Sequence, residues 1–181
     1  MIEITYFVHG TTRDNEQYIS TGWAQGELSE LGVEQAKTLG SQVKEKHFDI
    51  VFCSDLKRAI DSAELAFSDK YQIIQDPRLR EVNYGDLTQH LESEFNPDPY
   101  VYIKNRFPNG ESYQDVEERI TDFINYLKGN YAGLRVAIVA HKAPQFAFEV
   151  LLNNKPWVQA IDEDWRKRKN WKPGWTYRVQ D

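Results

Sequence analysis

Two histidines stand where runs of apolar and β-branched residues end, and they are the side chains of this sequence best placed for chemistry. His9 follows Ile2–Val8, and His141 follows the run 134–140, apolar except for Arg135. An imidazole near neutral pH can attack, donate or accept a proton, so its neighbours decide its use. Beside His9 they fall in one short loop: Gly10 allows close backbone approach, Thr11, Thr12 and Asn15 carry hydrogen-bonding groups, and Arg13 carries charge. Asp55-Leu56-Lys57-Arg58 adds a guanidinium at the start of a helix. Taken singly these residues have plainer uses, with Arg58 in a salt bridge and His141 in the core. Gathered together they form a donor set suited to a transferring phosphoryl group, and that set requires no metal.

The elements that would position them alternate. Ile2–Val8 reads as a strand, 28–46 as a helix, 48–53 as a strand, 56–66 as a helix opened by Ser54 and Asp55, and 71–74 as a short strand. Segment 77–110, richer in Pro, Asn, Asp and Gly, reads as loops with one short helix around 89–95, and is a candidate lid. Glu111-Ser112 opens a long helix with Val116, Ile120, Phe123, Ile124 and Leu127 as its apolar stripe, ending at Gly129-Asn130. Run 134–140 is a buried strand, and 146–152 continues as a helix. This order predicts an α/β fold: three layers, α/β/α, around a mostly parallel central sheet, with the site at the carboxyl ends of its strands.

Length and composition predict one domain over 1–181, since 40% hydrophobic residues suffice for a core. No run reaches the roughly 20 apolar residues of a membrane span, and the start shows no signal segment, so the expected location is the cytoplasm, without membrane contact. The lone Cys53 is expected in a buried strand and suggests no zinc site. A net charge of -6 disfavours nucleic acid and favours a small-molecule partner. In the tail, Trp165, Trp171 and Trp175 alternate with Arg166, Lys167, Arg168, Lys169 and Lys172. Such a pattern can bind single strands, but the acidic balance favours a solvated helix followed by an edge strand, Trp175–Val179.

The motifs, in this order, resemble those of the histidine phosphatase superfamily, which includes the cofactor-dependent phosphoglycerate mutases, and the likeness spans most of the chain. Val8-His9-Gly10-Thr11-Thr12 with Asn15 stands where members carry Arg-His-Gly-Glu-Thr. Thr21-Gly22-Trp23 and the stretch Leu28 to Ala36 are similar to its continuation in mutase-like members. Ser54-Asp55-Leu56-Lys57-Arg58-Ala59 resembles the phosphate-binding arginine motif, and Leu79-Arg80-Glu81 with Gly85 the acid-bearing segment. Asn109-Gly110-Glu111-Ser112 resembles the Gly-Glu-Ser helix start, and Val139-Ala140-His141 the second histidine. The resemblance implies a metal-independent, cofactor-free phosphatase acting on a small phosphate monoester. His9 would be its nucleophile, Glu81 its acid and base, and Arg58 and His141 the holders of phosphoryl oxygens. Asn15, Arg13, Thr21, Gly22 and Lys142 would be substrate-binding.

Two departures stand out. Val8 replaces the arginine before the nucleophile, and Lys142 replaces the small residue after the second histidine. Lys142 or Arg13 is expected to return the missing charge, without the bidentate fork of an arginine in the usual place. Val8 also admits a second reading, a weakened member that binds a phosphorylated ligand without turning it over. A mutase-like phosphotransferase ranks third, because the middle segment is short.

Overall fold

The structure, a computed structural model, describes residues 1–166 and 174–180. Its sheet contains β1 (Ile2–Val8), β2 (Ile50–Cys53), β3 (Ile73–Gln75), β4 (Arg135–Ala140) and β5 (Trp175–Val179), in the order β3-β2-β4-β1-β5. The pairs β3–β2, β2–β4 and β4–β1 are parallel, and β5 closes the β1 edge antiparallel. The helices are α1 (Arg13–Glu16), α2 (Glu30–Gln42), α3 (Lys57–Phe67), α4 (Val101–Lys104), α5 (Tyr113–Asn130), α6 (Lys142–Asn153) and α7 (Trp157–Asp162).

Strands β1 and β4 are nearly continuous in apolar residues because helices cover both faces of the sheet. Phe7, Val51, Ala137 and Val139 pack with Leu39 of α2 and with Ala63 and Phe67 of α3. Ile4, Tyr6, Phe52, Val136 and Ile138 point the other way, onto Ile120 and Phe123 of α5 and Phe148 of α6. The period-two alternation along each strand thus separates two apolar layers, and the outcome is the expected α/β/α architecture with a mostly parallel sheet. Cys53, wholly buried, ends β2.

Caps fix several boundaries. The Ser29 side chain accepts from Gly32 N to start α2, and Ser112 with Asp115 forms a capping box at α5. Helix α6 begins at Lys142, four residues before the expected 146. Pro144 lies in its first turn, where a missing N–H costs no helical hydrogen bond, so the proline does not delay the start.

In segment 77–110 the short helix expected around 89–95 is a 3-10 turn, and the rest holds more turns than expected. The segment contains three 3-10 turns, Pro77–Leu79, Gly85–Leu87 and Glu92–Glu94, and then α4. Tyr84, Phe95 and Phe107 meet edge to face or tilted within 5.0 to 5.6 Å, which anchors these turns to the core. In the tail, α7 buries Trp157, Ala160 and Ile161, and the solvated helix expected among the basic residues falls mostly on 167–173, outside the described residues. Lys167, Arg168, Lys169, Trp171 and Lys172 lie outside the described residues, while the expected edge strand is β5. Among the described residues no helix is long and apolar enough to cross a membrane.

Candidate active site

Sheet register brings the two histidines together. Val8 of β1 pairs with Ala140 of β4, so the next residue on each parallel strand is a histidine, and His9 N donates to Ala140 O at 3.0 Å. The imidazoles lie 5.0 Å apart between centroids, tilted by 60°. After β1 the chain runs to α2 on one face, and after β4 it enters α6 on the other. The histidines therefore flank the divergence where open α/β sheets leave a crevice.

His9 Nδ1–H donates to Gly10 O at 2.7 Å, which fixes the tautomer and leaves Nε2 with its lone pair. Enclosure by the protein, then the charge of Arg58, lowers its pKa from 6.5 to about 4, against the raising influence of the Gly10 carbonyl and Glu81. The ring is therefore neutral at neutral pH. Its loop is held tightly, since Gly10 N donates to Ser62 Oγ at 3.0 Å and Ser62 Oγ to Arg58 O at 2.7 Å. A Cβ on Gly10 would collide with the Gly32 carbonyl at the start of α2. Thr12 and Asn15 form the capping box of α1.

His141 is fully buried, and neither ring nitrogen has a hydrogen-bond partner among the described residues. As the N-cap of α6 it makes no side-chain capping bond, so its ring stays uncommitted. Burial, with Arg58 and His9, pushes its pKa well below 6.5. Buried polar atoms nearly always find partners, and a ligand oxygen in the crevice would satisfy this one.

Arg58, only 2% exposed, commits part of its fork to the loop that wraps it. Nη1 donates to Ala24 O at 2.8 Å and Gln25 O at 3.4 Å, and Nη2 donates to Gly22 O at 2.7 Å. A guanidinium has five donors, so Nε–H and one Nη2 hydrogen remain without a partner among the described residues. Burial lowers its pKa to about 10, opposed by Glu81, and it stays charged. Gly22 thus acts through Arg58. Thr21 turns to Asp14, its Oγ1 donating to Oδ2 at 2.9 Å. Neither residue lines the cleft.

Glu81 is buried and held at both ends. Its carbonyl accepts from Trp23 Nε1 at 2.7 Å and Arg119 Nη2 at 3.0 Å, and Oε1 accepts from Val82 N at 2.9 Å and Ala143 N at 3.0 Å. Ala143 N belongs to the first turn of α6, where a carboxylate is favoured. No described residue donates to Oε2.

A cleft of about 660 Å³ opens over His9 and Glu81, while the buried Arg58 and His141 lie behind its lining, and Val8, Asn15, Lys142 and Arg166 are also among its walls. Arg13 is not: its side chain is 70% exposed and lies 3.5 Å from Glu27. That placement removes it as a source of the charge missing at position 8. Lys142 is half-buried in the cleft, its pKa lowered by burial and by Arg166 against Glu81, Asp164 and Glu92. Trp165 and Arg166 also line it, although the sequence pattern suggested a solvated face. The alternation of bases and aromatics did mark this segment, without indicating which way it turns. Among the described residues no three of His, Cys, Asp and Glu gather as metal ligands.

Residues 6–161 match the family model of the histidine phosphatase superfamily (branch 1). The chain is 25% identical over 156 residues to phosphoserine phosphatase 1 of Hydrogenobacter thermophilus, covering 81% of this chain and 74% of that protein. It is 31% identical over 143 residues to the adenosylcobalamin/alpha-ribazole phosphatase of Escherichia coli K12, covering 74% and 70%. Its fold superposes on the crystal structure of the alpha-ribazole phosphatase from Shigella flexneri with a TM-score of 0.76, at 26% identity, over 88% of this chain and 84% of that one.

Proposed function

The chain belongs to the histidine phosphatase superfamily, branch 1, and from that premise we propose that it hydrolyses a small phosphate monoester through a phosphohistidine on His9, without a metal. Relatives named as phosphatases support the reaction class. The observation that carries the reading is the state of His9: neutral, with Nδ1 tied to Gly10 O and Nε2 uncommitted, on a cleft that also holds Glu81.

In the first step Nε2 forms a bond to phosphorus as the ester P–O bond breaks, and Glu81 Oε2 gives a proton to the departing oxygen. In the second, Glu81 takes a proton from water, whose oxygen bonds to phosphorus while the P–N electron pair returns to Nε2. Inorganic phosphate and an alcohol are the products. The free donors of Arg58, the unpartnered ring of His141 and the amide of Asn15 supply hydrogen bonds to the equatorial oxygens. One such preorganised donor is worth about 3 to 4 kcal/mol in the transition state.

Val8 favours a second reading, ligand binding without turnover, because an apolar wall replaces a charged donor. A panel of phosphate monoesters in the presence of a chelator separates the two. The phosphatase reading expects turnover and acid-labile phosphate on the protein, both lost in His9→Ala. Phosphate binding with no turnover of any ester would favour the binding reading, and net transfer of phosphate between the hydroxyls of one substrate would favour a mutase.

A further inference from the structure

We propose that Arg166, from the segment after α7, supplies the phosphoryl-binding charge that Val8 does not, so that the C-terminal segment completes the site. The inference rests on the phosphatase reading for its chemistry, but its test reads binding as well as turnover.

Val8 presents two methyl groups to the same cleft that Arg166 lines. The Arg166 charge is felt at His9, where it acts with Arg58 to keep the ring neutral. The guanidinium is also oriented. Nε donates to Asp164 Oδ2 at 3.2 Å and Nη2 to the same oxygen at 3.1 Å, so one edge of the fork is committed to a carboxylate that is itself buried. Nη1 stands 3.6 Å from Glu92 Oε1, an ion pair too long for a hydrogen bond. Three of the five donors therefore have no hydrogen-bond partner among the described residues, and the side chain, 38% exposed, lines the cleft.

A second feature of the same segment points to a ligand. Trp165 also lines the cleft, and its buried Nε1–H has no acceptor among the described residues. Arginine suits the task better than Lys142, because a fork anchored along one edge offers parallel donors to two phosphoryl oxygens, whereas an ammonium is a point charge. The exposed Arg13 does not line the cleft.

The test compares wild type, Arg166→Met, Arg166→Lys and the double variant Val8→Arg/Arg166→Met, reading the Kd of inorganic phosphate by calorimetry and kcat/KM on a neutral-alcohol phosphate ester. Loss of a charge-assisted donor pair predicts phosphate binding about 10- to 100-fold weaker in Arg166→Met. Partial recovery is expected in Arg166→Lys, and recovery in the double variant, where an arginine returns at position 8. Unchanged phosphate affinity in a folded Arg166→Met protein overturns the proposal. A loss confined to esters whose alcohol half is anionic overturns it as well, assigning Arg166 to the leaving group. Wild type that turns over no ester defeats the phosphatase reading, while the phosphate Kd still decides the role of Arg166.

Discussion

Tyr6 holds the peptide of His141 on both sides: its hydroxyl donates to His141 O at 2.7 Å and accepts from His141 N at 3.0 Å. The two residues are 135 apart in sequence and meet because β1 and β4 are neighbours. Tyr6 is fully buried, and burial raises its pKa well above 10, so it remains a neutral phenol able to play both parts. Tyr6→Phe would leave the buried His141 N–H without its partner, while His141 O keeps only the bond from Gln145 N at 3.3 Å. The expected cost is about 1 to 3 kcal/mol of stability, read as a lower urea midpoint at unchanged m-value. A fall in kcat larger than any rise in KM is also expected, because in the proposed mechanism the His141 ring would be displaced from the phosphoryl oxygens.

The strands and both histidines were legible in the sequence because a parallel sheet covered on both faces writes itself as apolar runs, and the residue after such a run sits at the sheet's carboxyl edge. Helix α5 was legible through its stripe and its Ser112 cap. The start of α6 was not: the helix begins at Lys142, with Pro144 in its first turn. Segment 77–110 hid three short turns whose placement depends on contacts among Tyr84, Phe95 and Phe107 rather than on local periodicity. Glu81 could be named but not placed, since Ala143 and Trp23, which hold it, are remote in sequence. Arg166 was read as solvated and is exposed, but its place on the cleft wall was not legible, because a local pattern records amphipathy while direction is set by Asp164 and Glu92.

Gly10→Ala tests whether the loop of the proposed nucleophile His9 depends on close packing. The added methyl would meet the backbone carbonyl of Gly32, which sits in the capped first turn of α2 and has little room to retreat. Overpacking of this kind costs about 1 to 3 kcal/mol. The expected result is a lower melting temperature together with slower phosphohistidine formation in single-turnover labelling. Wild-type labelling would mean that the loop adjusts without moving His9.

The protonation of His9 gives a pH prediction with a definite sign. Unfolded, an imidazole titrates near about 6.5; folded, His9 does so at about 4. Between these values the unfolded chain binds more protons, so stability rises with pH across the window. The contribution is fully present above about pH 6.5 and is lost as pH falls toward 4, and His141 shifts in the same direction. An NMR titration of the four histidines should show His9 unprotonated at pH 5.5. In kcat/KM the acid limb due to His9 should lie near pH 4. A His9 midpoint near 6.5 would refute the prediction, and His9→Gln should flatten the decline in stability on acidification.

Arg58 is expected to be intolerant of lysine. Its fork binds the carbonyls of Gly22, Ala24 and Gln25 while leaving donors for a ligand, and an ammonium on a different stem cannot reproduce both. Arg58→Lys should lower kcat/KM by about 10²- to 10³-fold, the loss of one preorganised donor. It should also increase protease cleavage within residues 21–25. Reduced turnover without loop cleavage would separate the two roles and leave Arg58 acting on phosphate alone.

Glu81→Gln separates proton transfer from binding, because the amide keeps the shape of the carboxyl group while losing the proton it must give. A glutamine can still accept at one oxygen from Val82 N and Ala143 N, so the fold should hold. On an alkyl phosphate, whose leaving alkoxide needs a proton, kcat should fall by about 10²- to 10⁴-fold, the usual share of general acid–base catalysis. On an aryl ester with an acidic phenol, the first step needs little protonation, so the phosphoenzyme should form at a rate close to wild type. It should then accumulate, since water still has to lose a proton in the second step. Rapid-quench labelling reads both rates in one experiment. Equal losses on the alkyl and aryl esters, with no accumulation, would move the proton-transfer role from Glu81 to another group on the cleft.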